Sequence, residues 1–157
     1  MPTRHPGRFA ETSRLADYTR WLESQRGLRF DGYPELWAWS VNDLEAFWES
    51  LWQYFGVEAS RPYDRILGRR EMPGAEWFPG AELSYVQHVF RGRADDAIAI
   101  VHASELRPPA EVTWGELRAL TGALAAGLRG LGVGPGDRVA GYLPNVPEAV
   151  AAFFACA

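Results

Sequence analysis

A short apolar run followed by a helix-start motif constrains the fold of this chain more than any other feature. Ala97 to Val101 is almost continuously apolar, as expected for a strand that is buried on both faces. Thr113 and Glu116 then form the T-x-x-E capping box of a helix that runs to about Leu131. The apolar positions of this helix recur at spacings of three and four, at Leu117, Leu120, Leu124 and Leu128.

Two more strands and one more helix are predicted around this motif. Glu111 to Trp114 forms a brief second strand, and Arg138 to Leu143 forms a third. Pro147 lies where a following helix accepts proline in its first turn, and Asn145 is the expected N-cap of that helix. Because strands and helices alternate, we expect an α/β layer with at least some parallel pairing.

The first part of the chain is predicted to be helical. A helix is expected over Ser13 to Arg26, with a cap at Thr12 or Ser13 and a stop at Gly27. A second helix is expected to begin after a Ser40 cap and to end at Gly56. The apolar stripe of this second helix comprises Leu44, Phe47, Trp48, Leu51, Trp52 and Phe55.

The character of the sequence changes between the two parts. Residues 57–80 are rich in Gly, Pro and Arg, and their apolar residues follow neither the spacing of a helix nor the alternation of a strand. This pattern predicts an irregular connection. A short helix over Leu83 to Phe90 is expected to turn Leu83, Val86 and Phe90 inward. We therefore predict a domain boundary near Gly92, with a helical region over 1–91 and the start of an incomplete α/β domain over 92–157.

Composition and charge exclude several classes of protein. Sixteen Lys and Arg and twenty Asp and Glu give a net charge of -4, with the signs mixed along the chain, so no nucleic-acid partner is expected. The single cysteine, Cys156, permits neither an intramolecular disulfide nor a zinc cluster. The first thirty residues carry charges and no apolar block, which argues against a secretory signal. No apolar run is long enough to span a membrane, so we expect a cytoplasmic protein.

The last residues suggest that the chain belongs to a larger body. Ala149 to Ala157 is apolar all round and has no Gly, Asn or basic residue in its last turn. A three-strand layer with an uncovered edge cannot bury such a helix. We therefore expect the chain to be a fragment that packs against further structure.

Three groups of residues could carry chemistry, and each has a structural alternative. The glycine cluster over Gly130 to Asp137 follows a helix and opens a strand, the reverse of a phosphate loop, so a turn is favoured over nucleotide binding. The Trp48 and Trp52 side chains share a stripe with Leu44 and Phe55, which favours packing over a stacking platform. No histidine has a partner at metal-ligand spacing, and nothing near Cys156 would lower the pKa of its thiol. The histidines are His5, His88 and His102.

One tryptophan-rich block, a second block that begins WFPG and a third, longer block resemble a known family. YPELWAWSVNDLEAFWESLWQYFGV, residues 33–57, resembles the N-terminal region of the acetoacetyl-CoA synthetases. WFPGAELSYVQHVF, residues 77–90, is similar to the next shared block, although Leu83 to Gln87 departs from the usual L-N-Y-A-E. Residues 112–150 are similar to the opening of the adenylation domain throughout the adenylate-forming superfamily. The tryptophans around Ser40 favour the acetoacetyl branch over the acetyl branch.

The resemblance implies an enzyme that joins acetoacetate to CoA at the expense of ATP, with Mg as the metal. In this family the phosphate loop, the adenine-binding segment, the ribose-binding aspartate and the catalytic lysine all lie beyond residue 157. We therefore assign no catalytic, cofactor-binding or metal-binding residue to this chain and expect the chain by itself to be inactive. The partner implied for it is the remainder of its own adenylation domain.

Other functions remain open at this stage. The chain could be a self-contained adaptor that binds a partner through Trp48 and Trp52, or a fragment of an acetyl-CoA synthetase. An autonomous nucleotide-binding domain rests only on the glycine cluster.

Overall fold

The computed structural model describes residues 11–157, which fall into two compact units that divide between Leu83 and Ser84. The first unit contains α1 (Arg14–Arg26), α2 (Tyr33–Asn42) and α3 (Leu44–Tyr54). The second contains α4 (Tyr85–Phe90), β1 (Ile98–His102), β2 (Ala110–Thr113), α5 (Trp114–Gly130) and α6 (Pro147–Cys156). The division falls earlier along the chain than the boundary predicted near Gly92.

The predicted bounds of α1 are confirmed. The Ser13 side chain accepts a hydrogen bond from the Ala16 N–H at 3.2 Å and caps the first turn. At the other end Gly27 has a φ of 66°, a left-handed conformation that glycine adopts without a steric penalty, and its N–H bonds to the Glu23 carbonyl. Tyr18 and Leu22 are buried, whereas Leu15 is 45% exposed.

The second helix was predicted wrongly at its start. Ser40 is not an N-cap, because it lies inside α2, where its hydroxyl donates to the Trp37 carbonyl at 2.8 Å. The N-cap of α3 is Asp43, whose carboxylate accepts from the Ala46 N–H at 3.3 Å. The missed signal for α2 is Pro34, since proline in a first turn marks a helix start. Phe55 and Gly56 end α3 as expected.

A buried hydrogen bond joins α1 to α3 in the core of the first unit. The Tyr18 and Ser50 oxygens are 2.5 Å apart, and Ser50 is fully buried. The Ser50 hydroxyl donates to the Phe47 carbonyl at 2.6 Å, so its one proton is used and the Tyr18 hydroxyl must be the donor to Ser50. Burial raises the pKa of Tyr18, while the bond to Ser50 opposes this rise.

Residues 57–80 form the irregular connection that the sequence predicted. Isolated bridges between Arg61 and Glu82 and between Leu67 and Trp77 hold it together. Its aromatic residues pack on α3, because the Trp52 ring lies 4.7 Å from the Phe78 ring and 5.1 Å from the Tyr63 ring. The connection is therefore an extension of the helical core rather than a free linker.

The strands of the second unit differ from the prediction in two ways. β1 and β2 are antiparallel, because the connection over residues 103–109 is shorter than the dozen or so residues that a parallel crossover requires. Ile98 and Val101 are 51% and 70% exposed, so β1 is not buried on both faces. The apolar run correctly predicted a strand, but it did not predict that this strand is exposed to solvent.

The predicted third strand, Arg138 to Leu143, is not a strand in the structure. Within residues 11–157 no neighbouring strand is hydrogen-bonded to it, and the sheet consists of β1 and β2. A β-strand exists only when a neighbour accepts and donates its backbone hydrogen bonds. This segment thus has the composition of a strand without the partner that would make it one.

The helices of the second unit begin close to the predicted positions. Ser84 caps α4, but Leu83 is half exposed instead of facing inward. Pro147 occupies the first turn of α6 as expected. Asn145 is not its N-cap, because that position belongs to Val146, which has no side-chain oxygen and makes no side-chain cap hydrogen bond.

The predicted capping box is present at the start of α5. The Thr113 hydroxyl accepts from the Glu116 N–H at 3.2 Å, and the Glu116 carboxylate accepts from the Thr113 N–H at 2.8 Å. Farther along the helix, Leu117 and Thr121 are buried, as are Pro147 and Ala151 of α6. The aromatic rings of Phe90, Trp114 and Phe154 complete this core, at centroid distances of 5.8 and 5.7 Å from Phe90.

We predict that Thr113→Ala lowers the free energy of unfolding of the second unit by about 1 kcal/mol, since an N-cap side chain contributes roughly that amount. Thr113→Ser keeps the hydroxyl and should change the stability by much less. Denaturant unfolding followed by Trp114 fluorescence and circular dichroism measures both. Equal stability of the alanine and serine variants would show that the box contributes nothing.

The same box predicts a pH dependence. The Thr113 N–H and then the Thr113 hydroxyl hold the pKa of Glu116 below its ordinary value of 4.5. Because the folded pKa is the lower one, the stabilisation is present above pH 4.5 and is lost as the pH falls through the folded value. The stability difference between the parent and Glu116→Gln should shrink accordingly in acid.

In the first unit we predict that Ser50→Ala is more destabilising than Tyr18→Phe. Ser50→Ala leaves a buried Tyr18 donor unsatisfied, which costs about 1 to 3 kcal/mol, whereas Tyr18→Phe removes one bond worth about 1 kcal/mol. Chemical unfolding of the two variants and of Ser50→Ala/Tyr18→Phe completes a double-mutant cycle. A larger loss in Tyr18→Phe would contradict the assigned direction of the hydrogen bond.

Candidate interaction surfaces

His88, His102 and Cys156 belong to no group of side chains in residues 11–157 that could hold a metal ion. Among residues 11–157 no group of three or more His, Cys, Asp or Glu side chains could hold a metal ion. His88 lies with its Nδ1 atom 3.0 Å from the Ser84 carbonyl oxygen inside its own short helix. Cys156 is exposed near the end of α6, and His5 lies outside the described residues.

The glycine cluster forms a turn at the C-terminal end of α5. Gly132 and Gly136 have φ values of 89° and 90°, which allow the chain to reverse after the helix. The Gly134 N–H, one of the groups that a phosphate cradle would offer, donates instead to the Asp137 carboxylate at 2.8 Å. The C-terminal end of a helix carries the negative end of its dipole and repels anions. These residues therefore do not fit nucleotide phosphates or their Mg²⁺ ion, and the turn interpretation is supported.

The tryptophans of the first unit mostly contribute to packing. Trp39 lies 5.4 Å from Phe30 and 5.7 Å from Phe47, and Trp48 lies 5.2 Å from Trp77. Trp37 and Trp39 lie inside α2. Because Trp52 packs on the connection, Trp48 is the more exposed member of the pair suggested for an adaptor.

One exposed apolar surface lies in the second unit and is called the 138–143 face. It comprises Val139, Leu143 and Phe153 of α6, which line one cavity, together with Tyr142 of the same segment, and all four are at least 48% exposed. The Tyr142 side chain extends fully into solvent. A contiguous apolar surface beside an unpaired backbone segment is typical of a face that another part of a protein covers.

An ion pair lies at the start of α6. The Arg107 guanidinium donates to the Glu148 carboxylate at 2.9 Å. The N–H of Glu148 itself, followed by Arg107, holds the pKa of this carboxyl below its usual range. Both side chains are half exposed, so the pair contributes little to stability. It connects the β1–β2 loop to α6.

The described part of the chain contains no membrane-crossing helix: none of its helices has both the length and the apolar character required.

Two family models match the chain in consecutive segments. Residues 33–89 match the acetyl-coenzyme A synthetase N-terminus, and residues 86–157 match the AMP-binding enzyme model. Together they account for the sequence from the start of α2 onward. The order of the two segments is the order that the sequence resemblance implied.

Curated relatives and a solved structure agree with these matches. The acetoacetyl-CoA synthetase of Rattus norvegicus is 40% identical over 136 residues, covering 83% of this chain and 20% of that protein. The acetoacetyl-coenzyme A synthetase of Rhizobium meliloti (strain 1021) is 33% identical, covering 95% and 23%. The structure of acetoacetyl-CoA synthetase from Streptomyces lividans superposes with a TM-score of 0.86 at 47% identity, covering 92% of this chain and 23% of that chain.

The similarity therefore concerns the N-terminal portion of acetoacetyl-CoA synthetases, as the sequence resemblance implied. The chain spans about a fifth of the length of these relatives. Its fold is that of the N-terminal helical region and the first elements of an AMP-binding enzyme.

We predict that the 157-residue chain associates in solution through the 138–143 face. Tyr142→Lys combined with Val139→Lys should shift the sedimentation profile toward monomer, because edge lysines oppose strand pairing. Leu106→Lys is the matched control, since Leu106 is 95% exposed but lies in the β1–β2 loop. A monomeric parent chain at high concentration, or an equal effect of the control, would contradict the prediction.

Proposed function

We propose that the protein to which this chain contributes is an ATP-dependent acetoacetate-CoA ligase. Its products would be acetoacetyl-CoA, AMP and pyrophosphate. The observation that carries the proposal is the agreement with the Streptomyces lividans acetoacetyl-CoA synthetase, at 47% identity with a TM-score of 0.86. The curated relatives named above carry the same enzyme name, which supports the same substrate.

The proposed reaction has two steps, and its atoms balance. A carboxylate oxygen of acetoacetate attacks the α-phosphorus of ATP, forming the acyl-adenylate and expelling pyrophosphate. The sulfur of CoA then attacks the acyl carbon, the bond to AMP breaks, and the thiol proton is released. No residue of this chain is assigned to either step.

The proposed role of the chain is architectural. The 138–143 face and the unpaired backbone behind it would be covered by the remainder of the same adenylation domain, which would supply the missing strand neighbours. The exposure of Tyr142, Leu143 and Phe153 supports this assignment. Burial of such side chains stabilises a protein by about 1.5 to 3 kcal/mol each.

A cytoplasmic location is also proposed. Its support is the presence of a single cysteine, Cys156, which suits a reducing compartment. A role in lipid metabolism follows from the proposed product.

We predict that the complete protein, expressed from its full reading frame, releases pyrophosphate and forms a CoA thioester with acetoacetate in preference to acetate. The two acids differ by one acetyl unit, and pocket shape typically discriminates such differences by about 1 to 3 kcal/mol, so roughly a 10- to 200-fold ratio of kcat/KM is expected. A preference for acetate would move the protein to the acetyl-CoA synthetase branch. Absence of thioester from either acid would overturn the ligase proposal.

The 157-residue chain by itself serves as the control. It should neither bind Mg-ATP measurably in calorimetry nor release pyrophosphate, because the glycine cluster does not provide a phosphate cradle. Tight binding of ATP by the isolated chain would instead support an autonomous nucleotide-binding domain.

A further inference from the structure

A groove in the first unit has no role in the proposed function. It is lined by residues of α1, α2 and α3 and by Phe55, and it encloses about 320 Å³. This volume is at the lower limit of ligand pockets, which range from about 300 to 1,000 Å³. The name α1–α3 groove is used for this feature.

The floor and the rim of the groove are both apolar. Tyr18 and Leu36 are buried at its floor, each with 5% of its surface exposed. The rim consists of Leu15, Tyr33, Trp37 and Phe55, which are between 45% and 65% exposed. Large apolar side chains around a concave floor are unusual on a protein surface unless something binds there.

One charged side chain lines this apolar groove. Arg14 is the charged member among the lining residues, and it forms no ion pair with any residue between 11 and 157. An unpaired guanidinium offers up to five N–H donors to an anion. Nearby, the Ser40 hydroxyl gives its proton to the Trp37 carbonyl and keeps its oxygen lone pairs as acceptors.

We propose that the α1–α3 groove binds an amphipathic anion of medium size, with its apolar body on Leu36 and Phe55 and its single anionic head at Arg14. The charge complementarity selects an anion over a neutral or cationic molecule of the same shape. The apolar lining selects a molecule with a hydrocarbon or aromatic body. Acetoacetate has no such body and is not the expected occupant.

The test is calorimetric titration of the 157-residue chain with decanoate, decyl phosphate, decanol and decyltrimethylammonium, each below its micelle-forming concentration. Decanoate and decyl phosphate should bind saturably at one site, and the ratio of their dissociation constants identifies the preferred head group. Decanol and the quaternary ammonium should bind at least about tenfold more weakly, because a charge-assisted hydrogen bond contributes roughly 1.5 to 3 kcal/mol.

Variants separate the two parts of the site. Arg14→Gln should weaken decanoate binding about tenfold and leave decanol binding unchanged. Arg29→Gln is the matched control, since Arg29 is 80% exposed in the same unit and is not a lining residue of the groove. Phe55→Ala should weaken both ligands by removing part of the apolar rim. Circular dichroism verifies that each variant is folded.

Several results would overturn the proposal. These are an absence of saturable binding, equal affinity for decanoate and decyltrimethylammonium, or the same effect of Arg14→Gln and Arg29→Gln. If sedimentation shows a dimer that Phe55→Ala dissociates, a second copy of the chain occupies the groove and the proposal is wrong. The experiment does not depend on ligase activity, so its failure and that of the proposed function are distinguishable.

Discussion

The second unit depends on the junction at which β2 becomes α5. Thr113 is the last residue of β2, where it pairs with Ile98, and it is also the N-cap of α5. The next two N–H groups, of Trp114 and Gly115, both donate at 2.9 Å to the carbonyls of Ala97 and Asp95 before β1. The capping box therefore fixes the direction in which α5 leaves the sheet, and the burial of Leu117 and Ala151 follows from that direction.

Close packing makes this junction intolerant of change. A Cβ atom at Gly115 would lie 3.1 Å from both the Asp95 side chain and its carbonyl oxygen, which is closer than ordinary van der Waals contact. Arg118, one turn later, contacts Asp95 and lies over the Phe90 ring at 5.3 Å. Backbone, ionic and aromatic contacts thus meet within one turn of helix.

In the first unit a small apolar core surrounds one polar pair, and the remaining aromatic residues extend it outward. Since the Tyr18 hydroxyl requires Ser50 as its acceptor, α1 and α3 are held at one relative position. That position leaves the α1–α3 groove open beside them. The same contacts that stabilise this unit therefore create the surface for which an amphipathic anion is proposed.

Local features of the chain could be predicted from the sequence, because they depend on neighbours within a few residues. The bounds of α1, the Thr113–Glu116 box, Pro147 at the start of α6 and the family resemblance all follow from short-range patterns. Ser40 has the residue type of an N-cap, but it lies inside α2, which begins near Pro34. Three features became visible only in the folded chain: the antiparallel pairing of β1, the lack of a strand over 138–143 and the hydrogen bond between Tyr18 and Ser50. Each of these requires a partner distant in sequence, and apolar periodicity contains no information about which partner is present.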